Sequence, residues 1–143
     1  MSDHAHRGPI PRVVVSAVIR DRAGRFLLVR RKDDGLWCNP GGHVDFEETV
    51  LDALHREVLE EAGVTISVER LAGVYSIFGP TAPLPGRHYL ALSFDCLYLA
   101  GDPRPGGDEL DARFFAPSEL PPLRSNHKRR IEDVLRGASV VVA

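Results

Sequence analysis

Between Gly42 and Val64 the chain must satisfy two demands with one helix. Thr49 to Ala62 carries an apolar face formed by Val50, Leu51, Leu54 and Val58, and Gly63 suits a C-cap, so a core must cover one side. On the same stretch Glu57, Glu60 and Glu61 fall within an arc of roughly 100°, at about 100° per residue. Carboxylates so close repel one another unless a cation lies among them. A hard divalent ion with oxygen ligands, Mg2+ above all, meets that requirement.

The spacing is specific: Gly42, then Glu48, then Arg56-Glu57-Val58, Glu60-Glu61 and Gly63-Val64. It resembles the Nudix box, filled at every defined position, and with its flanking strands the resemblance spans residues 11–135. It implies an α/β/α sandwich in which the box forms loop-helix-loop. It also implies metal ligation by Glu57, Glu60, Glu61 and the carbonyl of Gly41, with one glutamate activating water. Arg56 and Glu48 match a pair that braces the loop and orients the carboxylates. A downstream acid serves as base or further ligand; Glu109 is the candidate here, ahead of Asp108. One position departs from the family pattern: Glu47 stands where glycine is common, which restricts the loop backbone.

Around the box the chain reads as a single domain over residues 11–143, preceded by a loose polar tail at 1–10, where disorder is favoured over metal binding by His4 and His6. Strands are expected at Pro11–Arg20, Arg25–Arg31, Thr65–Phe78, Arg87–Ala100 and Ala112–Ala116, with a last helix at Asn126–Arg136. Trp37 to Gly42 is read as a lead-in to the box. Two segments rich in Gly and Pro, 79–86 and 101–108, can be neither helix nor ladder, and the first is a candidate lid. Strands and two helices without regular alternation give an α+β fold, a mixed sheet flanked by helices.

Other side chains divide between core and site. Trp37, Arg30 and Phe78 are the substrate-binding candidates: Trp37 for stacking on a base, Arg30 of the Arg30-Arg31-Lys32 run for phosphate, and Phe78 as a second aromatic. Tyr75 and Tyr89 read as core, and His43 and His88 as structural. The run His127-Lys128-Arg129-Arg130 reads as a surface charge cluster. A formal charge of −2 gives no general drive toward nucleic acid, and no apolar run reaches membrane-spanning length. Cys38 and Cys96 lack metal or redox spacing and suit a reducing cytoplasm.

Together these features point to Mg2+-dependent hydrolysis of a phosphoanhydride in a nucleoside diphosphate linked to another moiety, with Mn2+ as a substitute ion. The lead-in Trp37-Cys38-Asn39-Pro40-Gly41-Gly42 resembles that of small bacterial members, which act on nucleoside triphosphates, ADP-ribose or nucleotide sugars. The family resemblance alone implies homodimers. Two other functions compete: a catalytically silent nucleotide-binding module, which would be expected to lose box carboxylates, and an RNA 5′-end pyrophosphohydrolase, which would want a broad basic surface.

Overall fold

The computed structural model describes residues 9–137 and 139–143. The expected tail, with His4 and His6, lies outside them except for Pro9 and Ile10. An eight-stranded mixed sheet is built from β1 (Arg12–Arg20), β2 (Phe26–Arg31), β3 (Trp37–Cys38), β4 (Gly41–His43), β5 (Thr65–Ile77), β6 (Tyr89–Ala100), β7 (Glu109–Phe115) and β8 (Val141–Val142). Helices α1 (Val50–Ala62) and α2 (His127–Arg136) complete the fold. β1 and β6 pair in parallel along their length, whereas β5–β6 and β2–β7 are antiparallel.

Alternation along the central strands sorts the core into two layers. Val15, Ala17 and Ile19 of β1 and Leu27 and Val29 of β2 pack with Ala53, Leu54, Val58 and Ala62 of α1. Val18, Phe26 and Leu28 turn the other way and meet Ile131 and Val134 of α2. This is the expected α/β/α sandwich. The face of α1 differs in detail from the sequence reading: Leu51 is 44% exposed, and Ala53 and Ala62 take the buried positions beside Leu54 and Val58.

β1 and β2 pair only where Arg20 faces Phe26. Beyond that point they diverge, and residues 37–43 wedge into the gap. Cys38 pairs with Val29 of β2, and Gly42 pairs with Val15 of β1. The sequence reading took this segment for a plain lead-in; instead it carries two short strands that split the sheet. β7 also starts earlier than expected, at Glu109, and β8 was not expected at all. No described helix is long and apolar enough to cross a membrane.

Candidate active site

Helix α1 is fixed at both ends by local chemistry. Thr49 Oγ1 accepts from Asp52 N at 3.1 Å, and Gly63, at φ 72°, returns its N–H to Leu59 O. The carbonyls of Glu61 and Ala62 accept from Gly106 N and Arg104 N, so the loop at 101–108 is tied to the C-terminal end of the helix. That tether brings Glu109 to the helix carboxylates.

Gly41 occupies a β4 position at which its N–H turns away from β1, and it donates to Glu61 Oε1 at 2.7 Å. A Cβ on Gly42 would lie 2.5 Å from the Glu57 carboxyl carbon, so only glycine leaves that carboxylate its place. Arg56 grips Glu48 with two N–H groups, Nε to Oε2 at 2.8 Å and Nη2 to Oε1 at 2.9 Å. Its Nη1 holds Glu57 Oε1 at 2.8 Å and approaches Glu60 at 3.4 Å, while Nη2 also reaches His43 O at 3.1 Å. The two side chains that the resemblance pairs are thus in direct contact. Those hydrogen bonds hold the Glu48 carboxyl down to about 2.

The other carboxylates are raised. Burial pushes Glu61 up to about 8, reinforced by nearby Glu109 and Glu57 and opposed by the Gly41 N–H and Arg31. Burial also raises Glu57 against the pull of Arg56, and raises Glu109 against that of Arg31. Arg31 stands between two of them, 3.5 Å from Glu61 and 3.4 Å from Glu109. Among the described residues no three carboxylate, imidazole or thiol side chains converge into a ready-made metal cage.

Part of this cluster opens onto a cleft of about 460 Å3, whose lining does not include Glu109, Glu48 or Arg56. Glu57, Glu60, Glu61, Gly41 and Asp108 line it, as do Pro83 and Leu84 of the candidate lid. The three substrate-binding candidates lie elsewhere. Trp37 packs edge-on to Phe115 with ring centroids 4.8 Å apart, within the core under α2. Arg30 is exposed, its Nε bound to Gly35 O, and Phe78 is 57% exposed against His88. In their place the cleft is lined by Arg31, Asn39, Tyr89, Arg124, His127 and Arg130. The last two belong to the run read as surface charge. Positions 127, 130, 131 and 134 repeat with helical spacing, and that period was the signal that two of the basic residues face inward.

Glu47 sits at φ 61°, the left-handed region that disfavours a side chain and explains the family's preference for glycine there. Glu47→Gly is expected to stabilise the fold by about 1 kcal/mol. The check is a higher denaturant midpoint at unchanged slope; an unchanged or lower midpoint would show that the loop carries no such strain.

A family model described as the NUDIX domain matches residues 10–135. The chain is 35% identical over 129 residues to the ADP-ribose pyrophosphatase of Methanocaldococcus jannaschii, across 88% of this chain and 74% of that protein. It is 32% identical over 131 residues to a MutT-like protein of Streptomyces ambofaciens, across 91% of this chain and 80% of that one. The solved structure of a MutT NUDIX hydrolase from Burkholderia pseudomallei superposes with a TM-score of 0.75 at 35% identity, covering 88% of this chain and 99% of that one.

Proposed function

The chain belongs to the NUDIX family of phosphoanhydride hydrolases, and on that premise we propose that it splits a phosphoanhydride bond in a nucleoside diphosphate linked to a second moiety, such as a further phosphate, ribose or a sugar. Mg2+ is the cation of this reading, with Mn2+ as a substitute. The observation that supports it most is Glu61, a buried carboxylate raised to about 8 because burial and neighbouring carboxylates outweigh Arg31. Its charged form wants a cation. The ligands of this reading, the glutamates and the Gly41 carbonyl, are all oxygen, which suits a hard ion, and Mg2+ takes one or two carboxylates together with substrate phosphates rather than a closed side-chain cage.

In this reading Glu57, Glu60, Glu61 and the Gly41 carbonyl hold the ion. When bound, it would lower the pKa of a water and neutralise charge on phosphate oxygens. Arg56 and Glu48 keep Glu57 in position. In the same reading Glu109, the first residue of β7, whose pKa burial raises, takes the proton from water. Arg31 restrains Glu109 and Glu61 together. A reducing cytoplasm is the compartment we infer, supported by two buried free thiols, of which Cys38 is pushed up to about 12 by burial.

Release of phosphate, pyrophosphate or nucleoside monophosphate should be measured with Mg2+ over nucleoside triphosphates, ADP-ribose and nucleotide sugars, with Glu57→Gln as control. The expected result is turnover of one class, lost by about a hundredfold or more in the variant. Silence across the panel, with nucleotide still bound, would replace hydrolysis with the binding-module function.

A further inference from the structure

Two arginines serve the carboxylates of this site, and they do so differently. Arg56 grips Glu48 and Glu57 through bonds of 2.8–2.9 Å and lies outside the lining of the cleft. Arg31 lines the cleft beside Glu57, Glu60 and Glu61, and none of its ion pairs is shorter than 3.4 Å. Its guanidinium is spread over three carboxylates: Glu109 at 3.4 Å, Glu61 at 3.5 Å and Asp33 at 3.6 Å. Among the described residues it is the only basic side chain paired with either Glu61 or Glu109.

The ladder between β2 and β7 puts it there. Arg30 faces Asp111, so a regular register would set Arg31 opposite Leu110; an irregularity at that point sets it opposite Glu109 instead. Residues directly opposed in an antiparallel ladder share a face, and the same Nη1 of Arg31 that meets Glu109 also meets Glu61 of α1. Glu61 Oε1 is already committed to Gly41 N at 2.7 Å. Oε2 is therefore the oxygen with most to offer a cation, and Oε2 is the one that Arg31 faces.

A guanidinium and a divalent ion cannot share that oxygen without strong repulsion between like charges. Held only by long contacts, the guanidinium is the partner that yields. We propose that Arg31 is the counter-cation of the metal-free site, that it competes with the divalent ion for Glu61, and that it withdraws into the cleft when the ion binds. This rests on the metal-binding reading of Glu57, Glu60 and Glu61 and adds how that site is regulated. Two buried carboxylates keep a partner while no ion is present, and the free protein binds the ion weakly until substrate phosphates help to hold it. Withdrawal also releases Glu109, the proton acceptor of the proposed reaction.

Electron paramagnetic resonance of free Mn2+ in equilibrium with the protein tests this without substrate or turnover. Arg31→Gln, which is neutral, is expected to bind Mn2+ at least about fivefold more tightly than wild type, and Arg31→Lys, which keeps the charge, to stay within about twofold of it. Losing Arg31 also favours protons on these carboxylates, but a divalent ion feels the lost charge about twice as strongly, so the gain prevails. An arginine that merely positioned Glu61 would give the opposite sign, since loosening the carboxylate weakens the ion. A smaller gain, no change or weaker binding in Arg31→Gln would overturn the proposal and leave the metal reading standing, as would an equal gain in Arg31→Lys. No Mn2+ binding by any of the three proteins would overturn both. If Arg31→Gln does not fold, a crystal structure of wild type with Mn2+ decides. Arg31 is then expected beyond the ion-pair distance of about 4 Å from Glu61, and a guanidinium still within it beside the bound ion would overturn the proposal.

Discussion

Glu61→Gln is expected to raise the melting temperature of the metal-free protein at pH 8 while lowering kcat by about 10²–10⁴-fold. The two effects share one cause. The folded-state pKa of Glu61, about 8, lies above the ordinary value of 4.5. Below pH 4.5 the group is protonated in both the folded and unfolded states and costs nothing. As pH rises from there toward 8, the unfolded chain gives up the proton while the folded one retains it. Stability falls by up to about 1.4 kcal/mol per pH unit across that window. Above 8 the whole penalty, a few kcal/mol, is in place.

A glutamine keeps an oxygen to accept from Gly41 N and removes the charge that burial opposes. The melting temperature at pH 8 should therefore rise by about 5 °C or more, with little change near pH 4.5. Arg31 loses one partner but retains Glu109 and Asp33. Mg2+ should stabilise wild type at pH 8 and do so far less in the variant. Thermal melts in EDTA and in Mg2+ decide the matter. A variant no more stable than wild type at pH 8 without metal would mean that Glu61 carries no stored charge penalty.

The parts of this architecture that were legible in the sequence are those set by local chemistry. Thr49 to Gly63 announced a capped helix because apolar period, cap residues and carboxylate spacing all lie within one segment. Glu48 and Arg56 were paired by the family resemblance, and no local pattern in the sequence joined them. The wedge at residues 37–43 was not legible. Its strands have only two and three residues, and what makes them strands is pairing with β1 and β2, distant in the chain. Arg31 rather than Arg30 faces the site because alternation carries residues 27, 29 and 31 to the face that α1 covers. The alternation was visible; which face would receive the helix was not. Trp37 and Phe78 show the same limit, since an aromatic side chain suits a base or a core equally until neighbours are placed around it.

Two adjacent glycines should respond in opposite ways to the addition of a single methyl group. A Cβ on Gly41 would fall 2.0 Å from Val15 O and 2.7 Å from Ser16 Cα, both backbone atoms of the central strand. Neither can yield without moving β1. Gly41→Ala should therefore cost about 3 kcal/mol or more, seen as a fall in melting temperature, and separate the Gly41 N–H from Glu61. On Gly42 the three atoms nearest the new Cβ all belong to the carboxyl of Glu57, at 2.5–2.7 Å. That side chain can swing aside, but doing so breaks its 2.8 Å bond to Arg56 and moves an oxygen out of the proposed metal cradle. Gly42→Ala should leave stability within about 0.5 kcal/mol of wild type and still lower kcat/KM by about tenfold or more, with a higher Mg2+ requirement. Melting curves and Mg2+ titrations of activity on the two variants separate the roles. Full activity in Gly42→Ala would show that the position of Glu57 does not govern the chemistry, and unchanged stability in Gly41→Ala would show that the wedge is not seated against β1 as described.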